Sequence, residues 1–132
     1  MTNLQEGCKL FEAGQWVEAE IKFREAFQRN PSSPVALFNM GRVLEELKND
    51  HAEDFYLIAA ALGSCDAQYE LGLWYEAHQQ PMEAIRFYQV FIKEALPEDS
   101  FRPSATAAIE RLVPPSPHPS VGKLSIVWSK PK

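Results

Sequence analysis

The sequence predicts an all-α solenoid of seven helices followed by a proline-rich extended tail, and three observations carry that prediction. Gly, Ala and an aromatic recur in fixed order, as Gly7–Ala19–Phe23, Gly41–Ala52–Tyr56 and Gly72–Ala84–Tyr88. The glycines are 34 and 31 residues apart, a period in the low thirties that writes a stack of helical hairpins. Between these marks the apolar residues return at helical spacing. Four prolines, at 114, 115, 117 and 119, then end the pattern and set a stiff, extended linker. Each hairpin leaves an apolar face that only its neighbour covers, so the repeats predict one continuous stack.

Taken in order, Leu4, Cys8 and Phe11 give the first helix its apolar stripe, and Gly14 breaks the run before a second helix near Trp16. Ala19, Phe23, Ala26 and Phe27 form the second stripe, stopped by Asn30-Pro31, because a residue before proline is pushed out of the α region. Ser33-Pro34 opens the third helix with a hydroxyl cap and a proline at the first helical position. Leu37, Met40, Leu44 and Leu47 carry it to a Lys48-Asn49-Asp50 turn. The fourth helix is expected over about 51–62, with Phe55, Tyr56, Ala59 and Leu62 buried and Gly63-Ser64 closing it. The fifth covers about 67–78, the sixth runs from Pro81 to before Pro97, and the seventh, about 100–112, holds Ala105, Ala108, Ile109 and Leu112.

Composition limits what the chain does. Its 132 residues are 45% hydrophobic, enough for one core. The net charge of −5 is unevenly placed: residues 1–113 carry ten Lys/Arg against eighteen Asp/Glu, while 114–132 carry Lys123, Lys130 and Lys132 and no acid. An acidic body argues against nucleic acid, whose phosphates need clustered cations, and favours a basic or mixed partner. No apolar run approaches the ~20 residues of a membrane span, and the start lacks a secretory signal. Cys8 and Cys65 are isolated, which fits a reducing compartment and makes the cytoplasm the expected location.

Catalytic signals are absent. His51, His78 and His118 stand alone without metal-ligand spacing, no phosphate-binding or nucleophile motif occurs, and Cys8 has no indicated base. Glu45-Glu46 is expected on an exposed face, where carboxylates seldom acquire the shifted pKa that acid–base work needs. No catalytic residue, metal or cofactor is expected.

The segment Gly14-Gln15-Trp16-Val17-Glu18-Ala19, followed by Phe23, Ala26 and Pro31, resembles a tetratricopeptide repeat. The small–aromatic–small marks return as Ala52/Tyr56/Ala59 and as Ala84/Tyr88, with Phe91 at the last small position. Gly41 and Gly72 match the small residue where paired helices approach, and Leu44 and Tyr75 the large residue one turn later. The second repeat departs by a shorter turn and by Ser64 in place of the closing Pro. The resemblance implies a right-handed superhelical solenoid over 1–113, with repeats at about 1–33, 34–64 and 65–97 and a capping helix at about 100–112.

It also implies a concave face lined by the first helix of each pair. The positions three before each Gly and one, four and five after it would look into the groove. These are Leu4, Cys8, Phe11 and Glu12, then Phe38, Arg42, Glu45 and Glu46, then Tyr69, Leu73, Glu76 and Ala77. One row is apolar and aromatic, and the opposite rim is acidic. Some relatives clamp a chaperone's terminal carboxylate with Lys, Arg and Asn. Asn39 matches that asparagine, but Leu4, Cys8, Asp66 and Glu70 replace the other clamp residues, and carboxylates repel a carboxylate. Type III secretion chaperones, short three-repeat proteins, are the closer analogy.

Beyond the prolines lies Lys123-Leu124-Ser125-Ile126-Val127-Trp128-Ser129-Lys130, apolar at its centre with lysines at its flanks. Its composition complements the groove, so it is expected to dock there in cis or in a second copy. The function expected is a non-enzymatic adaptor that captures a peptide with apolar anchors and basic character, without nucleic acid or membrane insertion. A homo-oligomerising scaffold and a secretion-type chaperone are the alternatives.

Overall fold

The computed structural model describes residues 1–114. It contains α1 (Asn3–Glu12), α2 (Trp16–Arg29), α3 (Pro34–Glu46), α4 (Ala52–Ala61), α5 (Cys65–Ala77), α6 (Pro81–Glu94) and α7 (Arg102–Leu112), with no strand among the described residues. The expected segment at 115–132 lies outside them. The chain is an all-α solenoid. Helices pair as α1/α2, α3/α4 and α5/α6, and the pairs stack through α2/α3, α4/α5 and α6/α7.

Local chemistry sets the helix starts. The Thr2 hydroxyl accepts the Gln5 N–H at 3.1 Å while the Thr2 N–H donates to Gln5 Oε1 at 2.9 Å, a reciprocal cap that satisfies two orphan donors. Ser33 Oγ caps α3 by accepting the Ala36 N–H at 3.2 Å. Ser64 does the same for α5, accepting from Ala67 at 3.1 Å. The fifth helix therefore begins two residues earlier than the expected 67, because Ser64 starts that helix as well as ending the preceding turn.

The turn inside each pair repeats as closely as the helices do. The residue seven after each marker glycine is left-handed every time: Gly14 at φ +79°, Lys48 at +59° and Gln79 at +62°. Only the first turn supplies the residue that adopts this conformation without a Cβ penalty. The backbone repeat thus persists where the sequence repeat has lapsed.

The marker triplets meet in space as their spacing predicts. A Cβ added at Gly7 would lie 2.6 Å from the Phe23 ring, one at Gly41 would lie 2.7 Å from the Tyr56 ring, and one at Gly72 would lie closer still to Tyr88. These rings are buried, as are Ala19, Ala52 and Ala84. Each pair is therefore locked by an aromatic seated on bare helix backbone, at a density that leaves no room for a methyl group. The core runs from the Phe23, Val43 and Leu44 cluster at the α1 end to the Tyr56, Leu71, Tyr88, Phe91 and Ala105 cluster at the α7 end.

Candidate functional site

The odd-numbered helices present equivalent register positions to one face, and two clefts open there. One, of about 430 Å³, lies between α1 and α3 and is lined by Leu4, Cys8, Glu12, Val35 and Asn39. The other, of about 450 Å³, lies between α5 and α7, with Tyr69, Leu73, Glu76, Ala108 and Arg111 on its walls. Leu4, Cys8 and Glu12 in the first cleft stand where Tyr69, Leu73 and Ala77 stand in the second.

Between the clefts sits Arg42. Its guanidinium lies 4.2 Å from the centre of the Phe11 ring and 5.7 Å from that of Phe38, within reach of the attraction a cation feels for an aromatic face. Its Nη1 donates to Asn39 Oδ1 at 3.3 Å. Phe38 packs against Tyr56 at 6.0 Å and Phe11 against Trp16 at 4.7 Å. Arg42 thus covers the two rings at mid-groove and leaves the apolar openings on either side.

The acids of this face differ in what they hold. Glu45 Oε1 accepts the Tyr56 hydroxyl at 2.8 Å, and Glu76 Oε1 accepts that of Tyr88 at 2.9 Å. The two glutamates occupy the same register position, four after the marker glycine. In the first pair both polar groups are missing together, since Phe23 replaces the tyrosine and Phe11 the glutamate. Burial, with the neighbouring glutamate charges and hydrogen bonds added, pushes both tyrosine hydroxyls far up, so they remain neutral donors. Glu76 also accepts from Arg111 on α7 through Oε2. The hydrogen bond from that guanidinium holds the Glu76 carboxyl below the usual carboxylate range, against the opposing effect of burial.

Glu70 goes the other way. Burial first, and then the Glu45 charge, raise its pKa, with Arg42 only partly compensating. Its proton is held more tightly in the folded than in the unfolded chain, so its charge opposes folding above the ordinary carboxylate range and ceases to do so below it. Glu70→Gln should therefore raise the melting temperature by a few degrees at pH 7, and the gain should vanish as pH falls below about 4.5. Thermal melts of both proteins from pH 4 to 8 check this.

Three residues of the expected groove are engaged by partners within the domain. Tyr69 lines the α5/α7 cleft but is not a free anchor: its ring stacks on Phe101 at 4.9 Å and packs against Phe91 at 5.3 Å. Asn39 is 4% exposed and is occupied with Arg42, so it is not a free clamp group. Glu76 is not a bare rim acid, because Arg111 neutralises it. Leu4, Cys8 and Phe38 are half-buried, Leu73 is 41% exposed, and Glu12, Glu45, Glu46 and Ala77 are exposed. Phe101 and Arg111 were not expected at the site. Phe101 caps α7 and Arg111 lies in its last turn; the helical stripe of α7 shows in sequence but its placement beside α5 does not. Among the described residues, no group of three His, Cys, Asp or Glu is placed to hold a metal ion, and no helix is long and apolar enough to cross a membrane.

Residues 66–95 match the family model of the tetratricopeptide repeat. No curated protein sequence matches the chain. Among solved structures the fold is similar to the Yersinia enterocolitica type III secretion translocator chaperone SycD, at a TM-score of 0.75 and 10% identity, covering 83% of this chain and 80% of that one. The same chaperone in complex with a peptide of the translocator YopD also superposes at 0.75 and 10% identity, over 83% and 88% of the two chains. The first tetratricopeptide domain of Spaghetti (RPAP3), bound to the HSP90 peptide SRMEEVD, superposes at 0.72 with 24% identity, over 83% and 86%. With one repeat recognised in sequence over residues 66–95, and every helix pair built on the same glycine–aromatic lock, the chain has the fold of a tetratricopeptide-repeat domain.

Proposed function

We propose that this protein is a non-enzymatic adaptor whose odd-helix face captures a segment of a partner with apolar anchors and basic flanks. The observation that carries the reading is the pair of apolar-walled clefts at equivalent positions, separated by Arg42 and bordered by acids. Leu4 and Leu73 are the apolar contacts, since each lines a cleft with a side chain the core does not fully enclose. Cys8, Phe11, Phe38 and Arg42 shape the floor. Glu45 and Glu70 set the charge preference, because apolar contacts supply most of the affinity while charge selects and steers.

Two structural neighbours were solved with peptides, which supports peptide capture as the general role. The acidic peptide of the HSP90 complex is a poor match here. Asp66 and Glu70 stand on α5, and the only basic side chain at mid-groove among the described residues, Arg42, is engaged with Asn39 and two rings. A fluorescein-labelled ten-residue peptide with lysine at each end and Leu, Ile and Trp at alternate internal positions should bind the full chain saturably, with an apparent Kd of about 1 mM or tighter. Labelled SRMEEVD should bind at least tenfold more weakly. Equal binding of both, or preference for the acidic peptide, would remove this assignment. The chain's own segment 123–130 has the favoured composition, and a scaffold formed by exchanging it between copies is the second reading.

A further inference from the structure

The described chain ends beside one of the two clefts, and this bears on what fills it. α7 runs alongside α5 in the same direction: Phe101 at its start stacks on Tyr69, and Arg111 in its last turn pairs with Glu76. The chain therefore leaves α7 at the Glu76 end of the α5/α7 cleft. Residues 115–122 reach about 25 Å when extended, whereas α5 is about 20 Å long. A segment starting at 123 can reach any point along this cleft, while the α1/α3 cleft lies two helix pairs away.

Charge and pattern point the same way. The described residues carry ten Lys/Arg against eighteen Asp/Glu, and residues 115–132 carry three lysines and no acid. Leu124, Ile126 and Trp128 alternate with Ser125, Val127 and Ser129, so an extended chain would put the three large side chains on one side. The cleft offers that side an apolar wall in Leu73, Ala77 and Ala108, at a volume of about 450 Å³. Arg111 already neutralises Glu76, so within the groove the acids left for the flanking lysines are Glu70 and Glu45, beyond the lining of this cleft. Leu73, on the wall of this cleft, is 41% exposed.

We infer that residues 123–130 occupy the α5/α7 cleft in cis, in competition with outside peptides. The inference rests on the peptide-binding reading of this face. Tethering favours cis: a short linker gives an effective concentration of about 1 mM, which against a site of about 100 µM affinity weakens an external competitor about tenfold.

The test uses the full chain and the lysine-flanked peptide, comparing wild type with the Leu124→Ser/Trp128→Ser variant, which leaves the lysines and every described residue in place. The expected result is about tenfold tighter binding to the variant, with both proteins sedimenting as monomers at the concentrations used. Equal affinity for both would overturn docking in this cleft and leave the groove reading intact. A wild-type chain that associates with rising concentration, while the variant does not, would overturn docking in cis and assign the segment to a second copy. No binding to either protein would overturn the groove reading, and the docking with it.

Discussion

Gly72→Ala should destabilise the protein by about 1–3 kcal/mol, although the same change in an exposed helix is worth about 1 kcal/mol in the stabilising direction. The added methyl would enter the Tyr88 ring. That ring is 1% exposed and its hydroxyl is tied to Glu76, so it cannot tilt away without breaking a hydrogen bond or displacing Phe91 and Tyr69, which pack beside it. A double-mutant cycle isolates the contact. In a Tyr88→Leu background the clash disappears, and Gly72→Ala should become neutral or stabilising by up to about 1 kcal/mol. Urea unfolding resolves a sign change of that size. An equal cost of Gly72→Ala in both backgrounds would mean that the glycine serves something other than the ring.

The same lock explains how much of the fold could be read from the sequence. Contacts set by spacing within one hairpin were legible, because a glycine and an aromatic on neighbouring helices must meet if the helices are to approach closely. The helix ends at Asn30-Pro31 and Ser33-Pro34 were legible for local reasons, since proline and hydroxyl chemistry act within a few residues. Ser64 was misassigned because one residue can both end a turn and cap the next helix, and its sequence context looks the same in either role. The left-handed turns at Lys48 and Gln79 were hidden because nothing in Lys or Gln announces a positive φ. They emerge only when the backbone is aligned on the marker glycines.

The site was less legible than the fold. Register alone aimed Leu4, Leu73 and Arg42 at the shared face, where the structure places them. Register could not tell which of those side chains a later element covers. Tyr69 is lost to Phe101, and Glu76 to Arg111, a residue 35 positions away whose pairing no periodicity encodes. Phe38 and Tyr69, natural choices from sequence for an anchor-deleting double mutant, both pack on the core cluster. Their removal would cost stability as well as binding, so they are poor probes of the groove.

Leu73 is the better probe, because it lines a cleft, is 41% exposed and packs on neither core cluster; Leu4 lines the other cleft but also packs on the α1-end cluster, so its melt is read beside its affinity. Withdrawing a leucine side chain from water is worth about 1.5–3 kcal/mol, so each anchor seated against one of them should lose about ten- to hundredfold in affinity on truncation. The most direct measurement is a titration of the lysine-flanked peptide against the Leu124→Ser/Trp128→Ser chain, in which the chain's own segment no longer competes, and against Leu4→Ala, Leu73→Ala and Ile58→Ala made in that background, with a melt of each protein alongside. Ile58 is a control, half-exposed on α4 at 50% and outside both clefts. Loss of affinity in the two groove variants, with the control unchanged and all four proteins folded, is the result expected of an odd-helix binding face. Unchanged affinity in both groove variants, or a loss confined to Ile58→Ala, would contradict it and move the binding surface to the even-numbered helices.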